Sequence, residues 1–119
     1  ILKEKRYLIG LGTSAPRMKA NFILKRLGLK KYFNEIVTVE NIRNGKPDPE
    51  IFLKVASKLR CRPKECLVIE DAANGVLAAK KGGMKCLAIT TTHSENELKN
   101  ADKVINNFNQ STINYIKSL

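Results

Sequence analysis

The run Leu67-Val68-Ile69-Glu70-Asp71-Ala72-Ala73-Asn74-Gly75 constrains this chain most, because three apolar residues lead straight into two adjacent acids. Leu67-Val68-Ile69 is short, apolar and β-branched, with Arg62-Pro63 before it and a glycine-containing helical start behind it. It reads as a buried strand of a parallel sheet. The acids then fall at its carboxyl end, the edge of an open α/β sheet where ligands collect. Two carboxylates there offer hard oxygen ligands suited to Mg²⁺. Asp71 has a plainer reading as a helix cap. Glu70 has a weaker one, since a carboxylate directly behind apolar residues must be paired, solvated or metal-bound.

Upstream, residues 7–11 read as a strand and Gly12-Thr13-Ser14-Ala15-Pro16 as a turn of small residues. Ser14 is the expected cap of the next helix, Pro16 suits its first turn, and Gly28 is its stop. Met18, Phe22, Ile23 and Leu27 are its expected apolar face. Thr13 thus lies between a strand end and a helix amino terminus, where its hydroxyl either satisfies the turn or holds a phosphoryl oxygen. Residues 35–39 form a second, weaker strand, and a polar loop leads to Lys46. Asp48-Pro49-Glu50 opens a helix that buries Ile51, Phe52, Val55 and Leu59. Pro47 biases Lys46 toward extended backbone, so Lys46 is either one more exposed lysine or an ammonium set against developing negative charge.

Behind the acids a helix over residues 72–81 carries small side chains and ends at Gly82-Gly83. A strand over 85–90 follows, then a Ser94/Glu97 capping box, an edge strand at Val104-Ile105 and a closing helix from Ser111. His93, the only histidine, reads as a surface residue without a partner.

With 119 residues, 43% hydrophobic and 28% charged, residues 1–119 make one compact domain. No apolar run approaches the ~20 residues of a membrane span. The expectation is a soluble, cytoplasmic protein, and the opening on Ile1 suggests part of a longer one. Cys61, Cys66 and Cys86, an odd number without a secreted context, read as reduced thiols, and no second Cys/His pair completes a zinc set with Cys61 and Cys66. The formal charge of +11 comes from scattered lysines without interleaved aromatics. That pattern favours a solvated basic surface, then a preference for anionic substrates, over specific nucleic-acid binding.

Three stretches together resemble the haloacid dehalogenase superfamily of phosphatases and phosphomutases, in particular its β-phosphoglucomutase-like branch. Residues 8–17, Leu-Ile-Gly-Leu-Gly-Thr-Ser-Ala-Pro-Arg, resemble the second family motif; Gly45-Lys46-Pro47-Asp48-Pro49-Glu50-Ile51-Phe52 the third; Val68-Ile69-Glu70-Asp71-Ala72-Ala73-Asn74-Gly75-Val76 the fourth. The resemblance implies a three-layer α/β fold around a doubly wound, mainly parallel, Rossmann-like sheet. It also implies catalytic roles for Lys46 and Thr13, phosphate binding by Thr13, Ser14 and Lys46, and Mg²⁺ held by Glu70 and Asp71. The implied substrate is a phosphorylated small molecule, a sugar phosphate foremost, attacked by an aspartate to give an aspartyl-phosphate.

One departure bears on all of this. The family's first motif, an Asp-x-Asp pair, is absent, because the only aspartates are Asp48, Asp71 and Asp102. The nucleophile, the first strand and the substrate-selecting cap domain are therefore missing. The chain reads as part of a phosphoryl-transfer enzyme, inactive alone, or alternatively as a non-catalytic binding or assembly module on the same scaffold. In the resembled fold the missing strand lies between those ending at Thr13 and Asp71. Its loss leaves edges that pair with a missing N-terminal segment, exchange elements in a homo-oligomer, or close up directly.

Overall fold

The computed structural model describes residues 7–91 and 93–119. Strands and helices alternate: β1 (Gly10–Gly12), α1 (Arg17–Leu27), β2 (Glu35–Val37), α2 (Glu50–Leu59), β3 (Leu67–Glu70), α3 (Ala73–Lys81), β4 (Lys85–Ile89), β5 (Lys103–Ile105) and α4 (Gln110–Lys117). All pairings are parallel, as strands joined through helices require. Gly10 faces Glu35 and Gly12 faces Val37 between β1 and β2; Leu67 faces Lys85 between β3 and β4; Leu87 faces Lys103 between β4 and β5.

The sheet is in two parts, β1-β2 and β3-β4-β5, so β1 and β3 do not close up on each other. Residues 7–12 and 67–70 instead border a cleft of about 760 Å³. Among the described residues no strand fills this cleft, so the doubly wound sheet is open between β1 and β3. It also corrects the expectation that Leu67-Val68-Ile69 is buried throughout. Val68 is buried, but Ile69, pointing to the opposite sheet face, is 43% exposed and lines the cleft.

The core joins both parts through α2 and α3. Ile51, Phe52 and Val55 of α2 meet Val37, Val68, Val76 and Leu98 in one cluster of buried side chains. Helix α2 lies hard against β1. A Cβ added at Gly10 would fall on the Val55 side chain, so the strand's small residues set that spacing.

Element boundaries differ from the sequence expectation where side chains redirect the backbone. Strand β1 starts three residues later than expected, at Gly10. Strand β2 stops at Val37, because Thr38 caps a short 3₁₀ turn over Val39–Asn41. In α1 only Ala20 and Leu24 are buried, while Met18, Phe22, Ile23 and Leu27 are 85%, 63%, 42% and 64% exposed. At 100° per residue these four spread over half the helix circumference, and the narrow contact stripe falls beside them. Ser14 does not cap α1 either. The N-cap residue is Pro16, without a side-chain cap bond, and Gly28 ends the helix at φ 67° as expected.

Candidate functional site

The carboxyl ends of β1 and β3 lie on the same side of the molecule, and the loops leaving them carry the candidate residues. After Gly12 the chain keeps one more ladder bond, from the Thr13 N–H to the Val37 carbonyl at 3.0 Å. The Thr13 hydroxyl then accepts the Ala15 N–H at 3.1 Å and closes the turn. Ser14 sits exposed at this turn. Accepting through a lone pair leaves the Thr13 hydroxyl hydrogen able to donate outward.

Lys46 is not a solvated surface lysine. Its Nζ lies 3.2 Å from Glu70 Oε2, 3.5 Å from the Gly12 carbonyl, and 4.9 Å from the centre of the Phe52 ring. The two charged side chains are only 17% and 11% exposed. An ammonium resting on an aromatic face and paired with a carboxylate is held in a fixed position. Phe52 entered the sequence reading only as a core residue, and its periodicity in α2 gave no signal of this second contact.

Glu70 uses both oxygens. Oε2 pairs with Lys46, and Oε1 accepts the N–H groups of Asp71 and Ala72 at 3.0 and 3.2 Å. The carboxylate folds back over the start of α3, where a Cβ on Gly75 would collide with it. Gly75 is thus part of the site by close approach. Asp71 does not cap α3: the N-cap residue is Ala72, with no side-chain cap bond. Its Oδ2 accepts instead from the Thr91 hydroxyl at 3.3 Å.

The other candidates lie apart. His93 does have a partner, contrary to expectation: its Nδ1 is 3.1 Å from Glu97 Oε2, four residues on, and Ser94 and Glu97 exchange the reciprocal bonds expected of a capping box, although Glu95 is the N-cap residue of the short 3₁₀ helix Asn96–Leu98. Burial, with Glu70 and Asp102 nearby, pushes the Cys86 thiol up to about 12, so it stays protonated. Cys61 and Cys66 are half-buried free thiols. Among the described residues no group of three or more His, Cys, Asp or Glu side chains comes together. Nor is any described helix long and apolar enough to cross a membrane.

Comparison with known proteins bears on the family and the fold. Residues 1–89 match the family described as haloacid dehalogenase-like hydrolase. The chain is 42% identical over 98 residues to a phosphorylated carbohydrates phosphatase of Thermotoga maritima, covering 82% of this chain and 45% of that protein. It is 38% identical over 104 residues to the validoxylamine A 7'-phosphate phosphatase of Streptomyces hygroscopicus subsp. limoneus, covering 87% and 49% respectively. The crystal structure of β-phosphoglucomutase from Clostridium difficile superposes with a TM-score of 0.86 at 33% identity, over 98% of this chain and 50% of that one. The chain therefore spans about half the length of these relatives. With its profile match, its parallel α/β fold and the three stretches in order, this chain belongs to the haloacid dehalogenase-like hydrolases.

Proposed function

We propose that this chain is the charge-handling portion of a Mg²⁺-dependent phosphoryl-transfer enzyme acting on a phosphorylated small molecule, a sugar phosphate by preference. The observation that carries this reading is the placement of the Lys46 ammonium between Glu70 and the Gly12 carbonyl, one residue before the Thr13 hydroxyl. A phosphoryl group at that strand end meets a fixed cation and a hydroxyl donor, which offset charge on its equatorial oxygens during transfer.

The nucleophile is not among these residues. Asp48 accepts the Glu50 N–H at the start of α2, and Asp102 holds Lys80 and the Cys86 N–H, so both are committed to structure. An aspartate from a strand seated in the cleft between β1 and β3 would attack phosphorus as the bond to the sugar oxygen breaks. Water or a second sugar hydroxyl would then take the phosphoryl group from that aspartate. Alone, the chain binds without turnover.

Glu70 and Asp71 suit Mg²⁺ by donor chemistry, both being hard oxygen ligands at one strand end, and Mg²⁺ commonly takes one or two carboxylates with water and phosphate filling its shell. When bound there it would neutralise phosphate charge. Both Glu70 oxygens already have partners and Asp71 Oδ2 accepts from the Thr91 hydroxyl, so Mg²⁺ binding would exchange some of these contacts for the ion. The relatives named for phosphorylated carbohydrates and validoxylamine phosphate support a sugar-like substrate.

The test is an assay of the protein made together with the coding sequence upstream of Ile1. Phosphate release from a panel of sugar phosphates should require Mg²⁺ and disappear in Lys46→Ala. Full activity in Lys46→Ala, or an upstream sequence without an Asp-x-Asp pair, contradicts the reading.

A further inference from the structure

Helix α1 opens without a cap of its own, and its exposed first amides need an acceptor. That acceptor comes from 23 residues away. Glu40, in the turn after β2, takes the Arg17 N–H on both carboxylate oxygens, at 3.0 and 3.1 Å. It is held by Thr38, which is fully buried and donates its hydroxyl to Glu40 Oε1 at 2.8 Å. Asn41 completes the brace, with Oδ1 accepting from the Thr38 N–H at 3.0 Å and from Arg17 Nη2 at 2.9 Å. The turn carrying Thr13 and Ser14 is thus tied at both ends to the same strand exit: Thr13 N–H to Val37, and Arg17 N–H to Glu40. A carboxylate at a helix amino terminus is also favoured by the helix dipole.

We propose that Glu40 is a positioning residue for the phosphate-binding turn, clamping the amino terminus of α1 so that the Thr13 hydroxyl and the adjacent amides stay aimed at the bound phosphoryl group. The inference rests on the phosphoryl-transfer reading above and assigns Glu40 no contact with substrate. Hydrogen bonds from the Thr38 hydroxyl, from its own backbone and from Arg17 hold the Glu40 carboxyl below its usual range, so at neutral pH it is a full acceptor. The loop that supplies Glu40 continues to Lys46 only six residues later. One segment therefore both steadies the phosphate turn and delivers the lysine.

The test follows backbone amides by NMR during titration with inorganic phosphate in the presence of Mg²⁺, in wild type, Glu40→Ala, Glu40→Gln and Thr13→Ala. Hydrogen exchange at the Arg17 amide is read in parallel. In wild type the Thr13 and Ser14 amides should respond to phosphate, and Thr13→Ala should weaken binding. Glu40→Ala should speed exchange at Arg17 and weaken phosphate binding about tenfold. Glu40→Gln keeps one acceptor oxygen and should recover most of the affinity, which general destabilisation would not produce. If Thr13→Ala weakens binding while Glu40→Ala does not, the clamp is overturned and the phosphoryl reading stands. If phosphate leaves the Thr13 and Ser14 amides of wild type unmoved, the phosphoryl reading falls and the clamp's purpose with it.

Discussion

Lys46 and Glu70 are 24 residues apart in sequence yet paired at 3.2 Å, and both are largely screened from water. Removing one partner leaves the other charge poorly solvated. Lys46→Met should cost about 1–3 kcal/mol of stability in urea unfolding and abolish phosphate binding. Gly75→Ala should cost a similar ~1–3 kcal/mol by forcing the Glu70 carboxylate off its present position, and should weaken Mg²⁺ binding in the same titration. Much of this was legible in sequence. The two acids follow from the strand they end, but Pro47 left Lys46 open between an exposed lysine and a placed ammonium, and the resemblance to the family chose between them. The Glu40 clamp was not legible, since a carboxylate in a polar loop looks like any solvated acid until Arg17 and Thr38 are seen around it. The His93–Glu97 pair was readable from its spacing of four, a cue the isolated histidine obscured.

Helices were easier to foresee than the faces they bury. Helix α1 is bounded by Pro16 and Gly28 as its sequence implies, but the apolar residues that suggested its buried face lie mostly outside the contact. Leu24→Ala should therefore cost about 2–4 kcal/mol, whereas Phe22→Ser should fall within about 0.5 kcal/mol of wild type in the same urea experiment. Equal costs would show that the helix packs differently. The α3–β4–β5 side is tied by Asp102, which accepts the Lys80 ammonium and the Cys86 N–H, each at 2.7 Å. Burial opposes ionisation of Asp102, but these bonds outweigh it and hold its carboxyl below the usual aspartate value. Its contribution is thus complete above the unfolded value near ~3.9 and is lost as pH falls through the lower folded one. Asp102→Asn should flatten the acid limb of the stability profile below about pH 4, an effect of about 1 kcal/mol given the half-exposed site.

The molecule as a whole is a parallel sheet held open. Chain order and short apolar runs pointed to a parallel α/β sheet, while its doubly wound form and the gap left by the missing Asp-x-Asp strand came from the resemblance to the family. The response to the gap was not foreseeable, because it depends on whether α2 and α3 hold the two sheet parts apart. They do, through the core that joins Ile51 and Phe52 to Val68 and Val76, and a cleft bordered by two strand edges results. Such edges invite pairing, so light scattering on the isolated chain should find dimers or larger species at micromolar concentration, against a monomer if the cleft is self-sufficient. The most direct trial of the phosphate site is calorimetric titration of the chain with inorganic phosphate, with and without Mg²⁺, in wild type, Lys46→Ala and Asp71→Asn. Mg²⁺ should strengthen phosphate binding in wild type, Lys46→Ala should abolish binding, and Asp71→Asn should remove the Mg²⁺ dependence. Phosphate binding of equal strength in all three proteins, unaffected by Mg²⁺, would contradict it.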